Sequence, residues 1–264
     1  MTVKEQIKDF FEKRKGEFLS GEELAEKIGC TRGAVWKAVK SLQDEGYRIE
    51  AVTNKGYCLK TDNDIISESG IKKFLKTDRI TELKVFRTID STNLELKKMA
   101  SEGATEGTLV VSGEQTAGRG RLGRSFFSPS DSGIYMSLLL KPELSAQDAI
   151  KITTAAAVAV AEAIEELTGQ KTEIKWVNDI YLNGRKVCGI LTEASFNIEF
   201  GGFDYAVLGI GINVYEPSGG FPEDIVNSAG ALLKERKSDM RNRLAAAVTD
   251  RFMEYYNNID QPFT

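Results

Sequence analysis

A loop rich in glycine and arginine, residues 113–129, constrains this chain more than any other stretch. Within it, residues 118–124 place three glycines among three arginines. Glycine lets a backbone close tightly around a ligand, and guanidinium groups donate forked hydrogen bonds to carboxylate or phosphate oxygens. The pattern therefore predicts a loop that binds an anion. A solvated basic turn is the alternative interpretation of such a short cluster on its own.

The glycine spacing of this loop also fits the dinucleotide fingerprint, but its context excludes that fold. The fingerprint needs a strand-to-helix turn and an acidic residue about twenty positions later. Here Phe126-Phe127-Ser128-Pro129 follows, and then a strand-like run over residues 133–140. Arginines inside the turn would also crowd a pyrophosphate at a helix N-terminus. We therefore expect a flexible loop that closes over its ligand from outside.

Composition limits the chemistry that the chain can perform. Histidine is absent, which excludes Ser-His and Cys-His nucleophilic sites and most zinc chemistry. The three cysteines, Cys30, Cys58 and Cys188, lack paired or metal-ligand spacing and are expected to be reduced thiols. Catalysis must therefore use positioning, arginine, lysine, carboxylates and an exogenous metal, and we predict no protein-bound metal.

Length and hydropathy predict one large domain with a small one. The chain has 264 residues and is 41% hydrophobic. No apolar run reaches the roughly twenty residues of a spanning helix, and the N-terminus lacks a signal-peptide pattern, so we expect a cytoplasmic protein without a membrane partner. The net charge of −4 gives no overall attraction to nucleic acid. DNA binding would therefore need a local basic patch.

Residues 1–62 predict three helices. An apolar i, i+3, i+4 pattern begins at Ile7. Ser20-Gly21-Glu22-Glu23 has the pattern of a capping box that opens a second helix, and Gly29 ends that helix. Thr31 then caps a third helix, which has no acidic residue through position 42. A helix, a tight turn and a helix with a basic free face indicate a helix-turn-helix.

A hairpin after the third helix makes this a winged helix. Residues 47–52 alternate as a strand, Thr53-Asn54-Lys55-Gly56 is typical of a turn, and residues 57–60 return. A three-helix protein-interaction module is the alternative interpretation. Trp36 either packs on the wing or stacks at the DNA surface. The predicted DNA-contacting residues are Thr31, Arg32, Gly33, Lys37, Lys40 and Lys55.

The rest of the chain predicts an α/β (α+β) domain with a mixed sheet and helices on one face. The Asn183-Gly184 turn is a clear hairpin signal. Gly209 and Gly211, in a nearly apolar strand, are expected to allow close approach of a ligand. The predicted strands are 83–88, 108–112, 133–140, 173–176, 179–182, 185–193 and 206–214. The predicted helices are 67–75, 94–100, 145–167 (with Ile150, Ala157 and Ile164 against the sheet), 222–233 and 237–256.

Four separated motifs, in order, resemble those of the biotin protein ligases, specifically the bifunctional kind that also represses the biotin operon. The resemblance covers nearly all of the chain. It implies a winged helix-turn-helix over residues 1–62 and a class II synthetase-like biotin/lipoate ligase domain over residues 63–264. The motifs are Asp90-Ser91-Thr92-Asn93, the 118–124 loop, Lys175-Trp176-Val177-Asn178-Asp179 with Arg185-Lys186, and Gly209-Ile210-Gly211-Ile212-Asn213.

The resemblance also assigns site residues. The implied biotin-binding residues are Ser91, Thr92, Asn93, Gln115, Gly118, Arg119, Gly120, Arg121, Asp179, Lys186 and Gly189. The implied ATP-binding residues are Arg121, Arg124, Asn178, Lys186, Asn213 and Phe221, with Phe221 near an adenine-stacking position. The implied catalytic residues are Arg119, Arg121 and Lys186.

Each of these assignments has a structural alternative. Residues 91–93 are typical helix caps, and Lys186 could be an ordinary surface lysine of a strand. Gln115 is chemically apt for biotin, because one carbonyl and one NH2 complement the edges of a neutral cyclic urea.

The implied reaction has two steps. The carboxylate of biotin attacks the α-phosphate of Mg²⁺-bound ATP to give biotinyl-5′-AMP, and a lysine of a biotin carboxyl carrier protein then takes the biotinyl group. Arg119, Arg121 and Lys186, with Mg²⁺, would offset the repulsion between carboxylate and phosphate. The implied partners are the carrier protein, operator DNA and a second copy of the chain, in a homodimer promoted by biotinyl-5′-AMP.

One departure from the family leaves a second function open. Members of this class usually carry a β-barrel-like C-terminal domain, which we expect to be absent because the sequence stops at Gln261-Pro262-Phe263-Thr264. The alternative is therefore a biotin-sensing repressor with impaired or lost ligation. A lipoate-type ligase is disfavoured, because a dithiolane offers no urea to the polar pocket of Ser91, Thr92 and Gln115.

Overall fold

The computed structural model describes residues 1–142, 144, 149–197 and 202–259. The predicted start of a helix at residue 145 lies outside these ranges. The chain divides into two compact units: unit 1 comprises Met1–Ile65 and Arg236–Met240, and unit 2 comprises Ile66–Glu235 and Arg241–Thr264. Over the described ranges, no helix combines the length and the hydropathy needed to cross a bilayer.

Unit 1 has the predicted three helices and hairpin. Its core is built from the inward faces of the helices and the hairpin, including Phe11, Leu24, Val35, Leu42 and Leu59. The tight turn of the hairpin needs left-handed backbone at Asn54 (φ 66°) and Gly56 (φ 99°), which Asn and Gly adopt most readily. The elements are α1 (Val3–Lys13), α2 (Gly21–Ile28), α3 (Arg32–Asp44), β1 (Ile49–Val52) and β2 (Gly56–Leu59).

The capping box predicted at the start of α2 is only half formed. Ser20 Oγ accepts from Glu23 N, as expected of an N-cap. In the described structure, however, the Glu23 carboxylate accepts from Arg14 and Lys27 instead of returning to the Ser20 backbone. The ion pairs with Arg14 and Lys27 therefore replace the capping bond that Glu23 would make to the Ser20 backbone. The complete reciprocal box lies at the start of α1, between Thr2 and Glu5.

A buried ion pair ties the segment 236–240 into unit 1. Lys15 Nζ pairs with the carboxylate of Asp239, and the side chains are only 7% and 10% exposed. The same ammonium donates to Asn63 O at 2.7 Å. Asp239 adopts left-handed backbone (φ 54°), which costs a non-glycine residue energy. The sequence pattern gave no sign that residues from so late in the chain belong to this unit.

Unit 2 is built on a seven-stranded mixed sheet, as predicted. The order is β3-β4-β5-β9-β8-β7-β6. Strands β3 and β4 run parallel, and the other neighbours are antiparallel. Asn183 and Gly184 both have positive φ, which confirms the β7–β8 hairpin. The strands are β3 (Glu82–Phe86), β4 (Thr108–Ser112), β5 (Gly133–Leu140), β6 (Glu173–Lys175), β7 (Asp179–Leu182), β8 (Arg185–Asn197) and β9 (Gly202–Asn213).

Four further α-helices follow the hairpin of unit 1 in the described part of the chain. Helix α5 packs on β4, β5 and β9, and α6 packs on β6, β7 and β8. Ala157 and Ile164 are buried as predicted, but the prediction for Ile150 is wrong, because this residue lies in the first turn of α6 and is 46% exposed. The helices are α4 (Glu68–Lys72), α5 (Thr92–Ser101), α6 (Ala149–Thr168) and α7 (Met240–Asn257).

The helix predicted for residues 222–233 is wrong. This segment forms successive turns and two short bridges, Lys186 with Ala229 and Tyr215 with Leu233. Its first turns bond to themselves, as Val226 N does to Pro222 O at 2.8 Å, whereas its later backbone groups bond to neighbouring strands, as Gly230 N does to Lys186 O at 2.9 Å. The turns therefore do not continue as a helix. Gly230 sits where an added Cβ would meet Arg185 Cβ at 2.8 Å, so this close approach needs glycine.

Replacing Lys15 by Met should lower the free energy of unfolding of unit 1 by about 3–5 kcal/mol, because it leaves the Asp239 carboxylate buried without its cation. The chain has two tryptophans, so urea unfolding can be followed by Trp36 in a Trp176→Phe background. Lys4→Met, which removes a well-exposed pair with Glu45, is the control and should cost at most about 1 kcal/mol. Equal losses in the two variants would contradict the prediction.

Candidate functional site

One pocket in unit 2 gathers most of the residues that the motifs singled out. The start of α5, the glycine/arginine loop, the residue before β7 and strands β5, β8 and β9 meet there. Predicted site residues that line the pocket are Ser91, Thr92, Asn93, Gln115, Arg119, Gly120, Arg121, Asn178, Lys186 and Gly189. A wider groove beside it is lined by Gly118 and Arg124, together with the rest of the loop and the exposed Ile150.

The polar residues that begin α5 do more than cap it. Ser91 occupies the N-cap position, but its side chain makes no capping hydrogen bond. Instead, the backbone N–H and the hydroxyl of Thr92 both donate to Gln115 Oε1, at 2.8 and 3.1 Å. The helix start is therefore bonded to the loop that follows β4, and the simple capping interpretation of these residues is wrong.

Gln115 presents one defined polar group to the pocket. Its carbonyl is occupied by the two Thr92 donors, and Nε2 donates to Ser128 Oγ at 3.0 Å. Ser128 in turn donates to Phe126 O at 2.9 Å. Because an amide nitrogen carries two hydrogens, one N–H is left for a ligand acceptor.

Both ends of the Asn93 amide are bonded within the protein. Its Oδ1 accepts from Ser137 Oγ at 2.6 Å, and its Nδ2 donates to Glu193 Oε2 at 2.8 Å. The side chain fits because position 209 is glycine: a Cβ there would lie 2.2 Å from Asn93 Oδ1. Gly209 thus permits the close approach of Asn93, and Asn93 orients the pocket wall.

Phe126 is a pocket residue that the sequence interpretation missed. Its ring lies over two glycines, so a Cβ at Gly211 or Gly189 would meet it at 2.5 or 2.9 Å. The edge of the ring contacts Tyr135 at a centroid distance of 6.4 Å, and Lys186 Nζ lies 6.0 Å from its centroid. An aromatic residue two positions after the last arginine of the loop was the available signal.

Each predicted catalytic cation has a partner inside the protein. Lys186 Nζ lies 2.7 Å from Asp179 Oδ1, and Arg121 donates to Asn178 Oδ1 at 2.9 Å. Arg119 lies 3.6 Å from Glu193 Oε1. These pairs are partly exposed, so each adds little stability, but together they hold three positive charges around one pocket. A ligand anion can exchange with these partners at small cost.

The loop itself is a tight turn closed by backbone bonds. Gly120 N donates to Arg124 O at 2.7 Å, and Phe126 N donates to Gly118 O at 2.9 Å. Leu122 sits at its tip with φ 56° and is 91% exposed. The loop therefore points two arginines at the pocket lining while it presents an apolar tip to solvent.

Two further predicted ATP-binding residues lie outside this cluster: Asn213 is the last residue of β9, and Phe221 follows it in the chain. Asn213 Nδ2 donates to Gly230 O at 3.0 Å, which ties the end of β9 to the turn segment after Phe221. Phe221 faces Phe127 edge-on, with centroids 6.4 Å apart. Within the described ranges, no cluster of three or more His, Cys, Asp or Glu residues could hold a metal ion.

The cysteines play no part in this chemistry. All three are free, as predicted. Burial raises the pKa of the Cys188 thiol well above its ordinary value, even though Lys186 lowers it in part. Cys188 therefore stays protonated and acts as a packing residue of β8.

The predicted DNA surface lies on unit 1. Trp36 is 57% exposed and so does not belong to the core. It lines a groove between α3 and the hairpin, together with Arg32, Asn54 and Tyr57. All six predicted contact residues are exposed: Thr31, Arg32, Gly33, Lys37, Lys40 and Lys55.

Family models match both units. The model of the Biotin/lipoate A/B protein ligase family matches residues 85–213, and the model of the HTH domain matches residues 3–58. The first match spans the pocket, and the second spans the three helices and most of the hairpin. The fold and the site therefore define a ligase-type catalytic domain preceded by a helix-turn-helix domain.

Relatives with both domains make the assignment more specific. The Bifunctional ligase/repressor BirA of Bacillus subtilis is 40% identical over 232 residues, which is 88% of this chain and 71% of the relative. The protein of the same name from Escherichia coli is 34% identical over 88% of this chain and 70% of its own length. The chain belongs to this family of bifunctional biotin ligases and repressors, which confirms the resemblance drawn from the motifs.

A solved structure supports the fold. The biotin protein ligase from Aquifex aeolicus, in complex with biotin and ATP, is 33% identical and has a TM-score of 0.57. The match covers 67% of this chain and 71% of that chain. The predicted mixed-sheet ligase domain is therefore confirmed.

Replacing Gly209 by Ala should weaken ligand binding and cost about 1–3 kcal/mol of stability, because the new methyl group would lie 2.2 Å from Asn93 Oδ1. The buried and doubly bonded Asn93 cannot move away freely. Thermal unfolding and biotin titration would measure both effects. Gly219→Ala, where a Cβ meets nothing within 4 Å, is the matched control and should change neither quantity. A wild-type-like Gly209→Ala would show that this contact is not rigid.

Proposed function

We propose that this protein joins biotin to a lysine of a biotin carboxyl carrier protein through biotinyl-5′-AMP, and that it binds operator DNA as a dimer when the adenylate is present. The observation that carries the proposal is the convergence of Arg119, Arg121 and Lys186 on a pocket whose other wall is neutral and polar. The neutral wall suits a urea, and the cations suit a carboxylate beside a phosphate.

The neutral wall would bind the ring end of biotin. The remaining N–H of Gln115 is a donor for the urea oxygen, and the Ser91 and Thr92 region supplies further polar groups. The apolar side of the ring system would lie against Phe126. Asn93 contributes by holding the wall in place, since both ends of its amide are bonded inside the protein.

The cations would act where charge accumulates. When the carboxylate oxygen attacks the α-phosphorus, the bond to pyrophosphate breaks and negative charge spreads over the phosphoryl oxygens. Lys186 and Arg121 line the pocket, and their partners Asp179 and Asn178 hold them in place before reaction. Preorganised charge of this kind lowers the barrier without requiring a protein nucleophile.

Magnesium would arrive with ATP and neutralise phosphate charge. The residues present fit this role, because the pocket offers arginine, lysine and amide groups toward oxygen anions, and the nearby carboxylate of Asp179 is paired with Lys186. The base of the nucleotide would meet the Phe127 and Phe221 rings, which lie edge-on to each other.

The transfer step needs only access and orientation. The lysine amine of the carrier protein attacks the acyl carbon, the bond to the AMP oxygen breaks, and the amine loses a proton. The groove beside the pocket, bounded by the glycine/arginine loop and the first turn of α6, leaves an open side for that approach. The loop would retain the adenylate until the carrier arrives.

Arg121→Gly should lower the affinity for the adenylate about ten- to a hundredfold, because it removes a charge-assisted contact worth roughly 1.5–3 kcal/mol. The measurement is intact mass of a carrier domain after incubation with biotin, ATP and Mg²⁺. Wild-type protein should label one lysine, whereas the variant should release adenylate that labels lysines indiscriminately. Leu122→Gly changes the same loop without removing charge and is expected to retain single-site labelling. Clean labelling by Arg121→Gly would refute the role of the loop.

A single copy of unit 1 offers few phosphate contacts. The exposed basic groups of helix α3 are Arg32, Lys37 and Lys40, and the chain as a whole is acidic. Winged-helix proteins of this kind gain affinity when a two-fold dimer occupies two half-sites. The glycine/arginine loop is the element that ligand would order, and an ordered loop can then join a subunit interface.

Biotin with ATP should therefore increase dimerisation, and by thermodynamic linkage the dimer should bind the adenylate more tightly by the same factor. Sedimentation with and without the two ligands measures the effect. Equal dimerisation constants in both conditions would exclude this mechanism. Lys37→Gln is the control: it should weaken DNA binding and reduce the slope of log affinity against log salt by about 1, while leaving dimerisation unchanged.

A further inference from the structure

Glu193, a residue of β8 that the motifs did not single out, lies where several site residues converge. Its carboxylate accepts from Asn93 Nδ2 at 2.8 Å and from Lys97 Nζ at 2.6 Å. Arg119 of the glycine/arginine loop lies 3.6 Å from the same carboxylate. The side chain is 21% exposed and lines the groove beside the loop. One residue thus connects helix α5, the sheet and the loop.

The contacts of Glu193 continue into the pocket wall. Asn93, which binds one carboxylate oxygen, also accepts from Ser137 Oγ at 2.6 Å. Ser137 Oγ is 2.8 Å from Thr92 Oγ1, and Thr92 binds the carbonyl of Gln115. The polar chain from Gln115 to Arg119 therefore passes through Glu193.

The charges at this point do not cancel. Lys97 and Arg119 bring two positive charges to one carboxylate, so one positive charge is left over. Burial raises the pKa of Glu193, but hydrogen bonds from Asn93 and Lys97 and the charges of Lys97 and Arg119 outweigh it and leave the pKa below its ordinary value. Glu193 is therefore ionised at neutral pH. The longer 3.6 Å contact leaves Arg119 able to bind a ligand anion as well.

We propose that Glu193 is a positioning residue for biotin: by holding Arg119, it keeps the glycine/arginine loop beside the pocket in the ligand-free protein. This inference rests on the proposed function for the identity of the ligand. Without Glu193, the glycine-rich loop samples more conformations when empty, and biotin must then order it at the cost of affinity. Once the ligand is bound the loop is ordered in either case, so the rate of the chemical step is unaffected.

Glu193→Gln tests the proposal with nearly the same shape and no charge. The affinity for biotin should fall about five- to tenfold, while KM for ATP and kcat stay within about twofold. Trypsin should cut the ligand-free variant faster at the loop arginines, and saturating biotin should restore protection. Glu193→Asp keeps the charge and should retain more affinity than Glu193→Gln. Glu173→Gln, on the exposed edge strand β6, is the matched control and should change none of these quantities.

A double-mutant cycle with Arg119→Met shows whether Glu193 acts through Arg119. If it does, adding Glu193→Gln to Arg119→Met produces little further loss of biotin affinity. Fully additive losses would overturn the proposal. So would a Glu193→Gln variant that is less stable but changes biotin and ATP parameters equally, because that is the signature of a purely structural role.

The trypsin comparison separates this inference from the proposed function. It uses ligand-free protein, so it reports on the loop even if wild-type protein binds no biotin, and absence of biotin binding would refute the proposed function alone. Equal cleavage rates for wild type and Glu193→Gln, with equal affinity for biotin, would refute the positioning role alone.

Discussion

The pocket depends on the absence of side chains at Gly209 and Gly211 in strand β9, which lies between β5 and β8. These two positions leave the space that Asn93 and the Phe126 ring occupy. Asn93 fixes the start of α5, and Phe126 fixes the chain that leaves the glycine/arginine loop. Because interiors are close-packed, a methyl group at either position would displace one of these elements rather than be absorbed. Both walls of the pocket are thus positioned from one strand.

Electrostatics then determine what the pocket can bind. Lys186, Arg121 and Arg119 each have a protein partner, so their charges are oriented before any ligand arrives. The partners are weak enough to be exchanged, because the pairs are partly exposed. A site of this design binds anions without a large reorganisation cost, and it suits a reaction in which a carboxylate must approach a phosphate.

The exposed basic surface and the pocket belong to different units. Unit 1 presents an exposed basic helix with Trp36 beside the wing, while unit 2 contains the ligand pocket. The buried pair of Lys15 with Asp239 shows that unit 1 takes in a short segment that follows the ligase sheet in sequence. The stability of the DNA-binding unit therefore depends on residues that a division of the sequence into consecutive domains would assign elsewhere.

Local sequence determined the features that local physics controls. The caps at Ser20 and Thr31, the helix end at Gly29 and the Asn183-Gly184 turn follow from propensities over a few residues, and the four motifs predicted that Arg119, Arg121 and Lys186 share one site. The tertiary structure alone decided the rest: Asn93 meets Glu193, 100 positions away, and Lys15 meets Asp239, 224 positions away. The same is true of Phe126 over Gly189 and Gly211 and of the turns that replace the predicted helix at 222–233. Such contacts depend on which distant segments the sheet brings together. The hydrophobic periodicity of a single segment cannot predict that pairing.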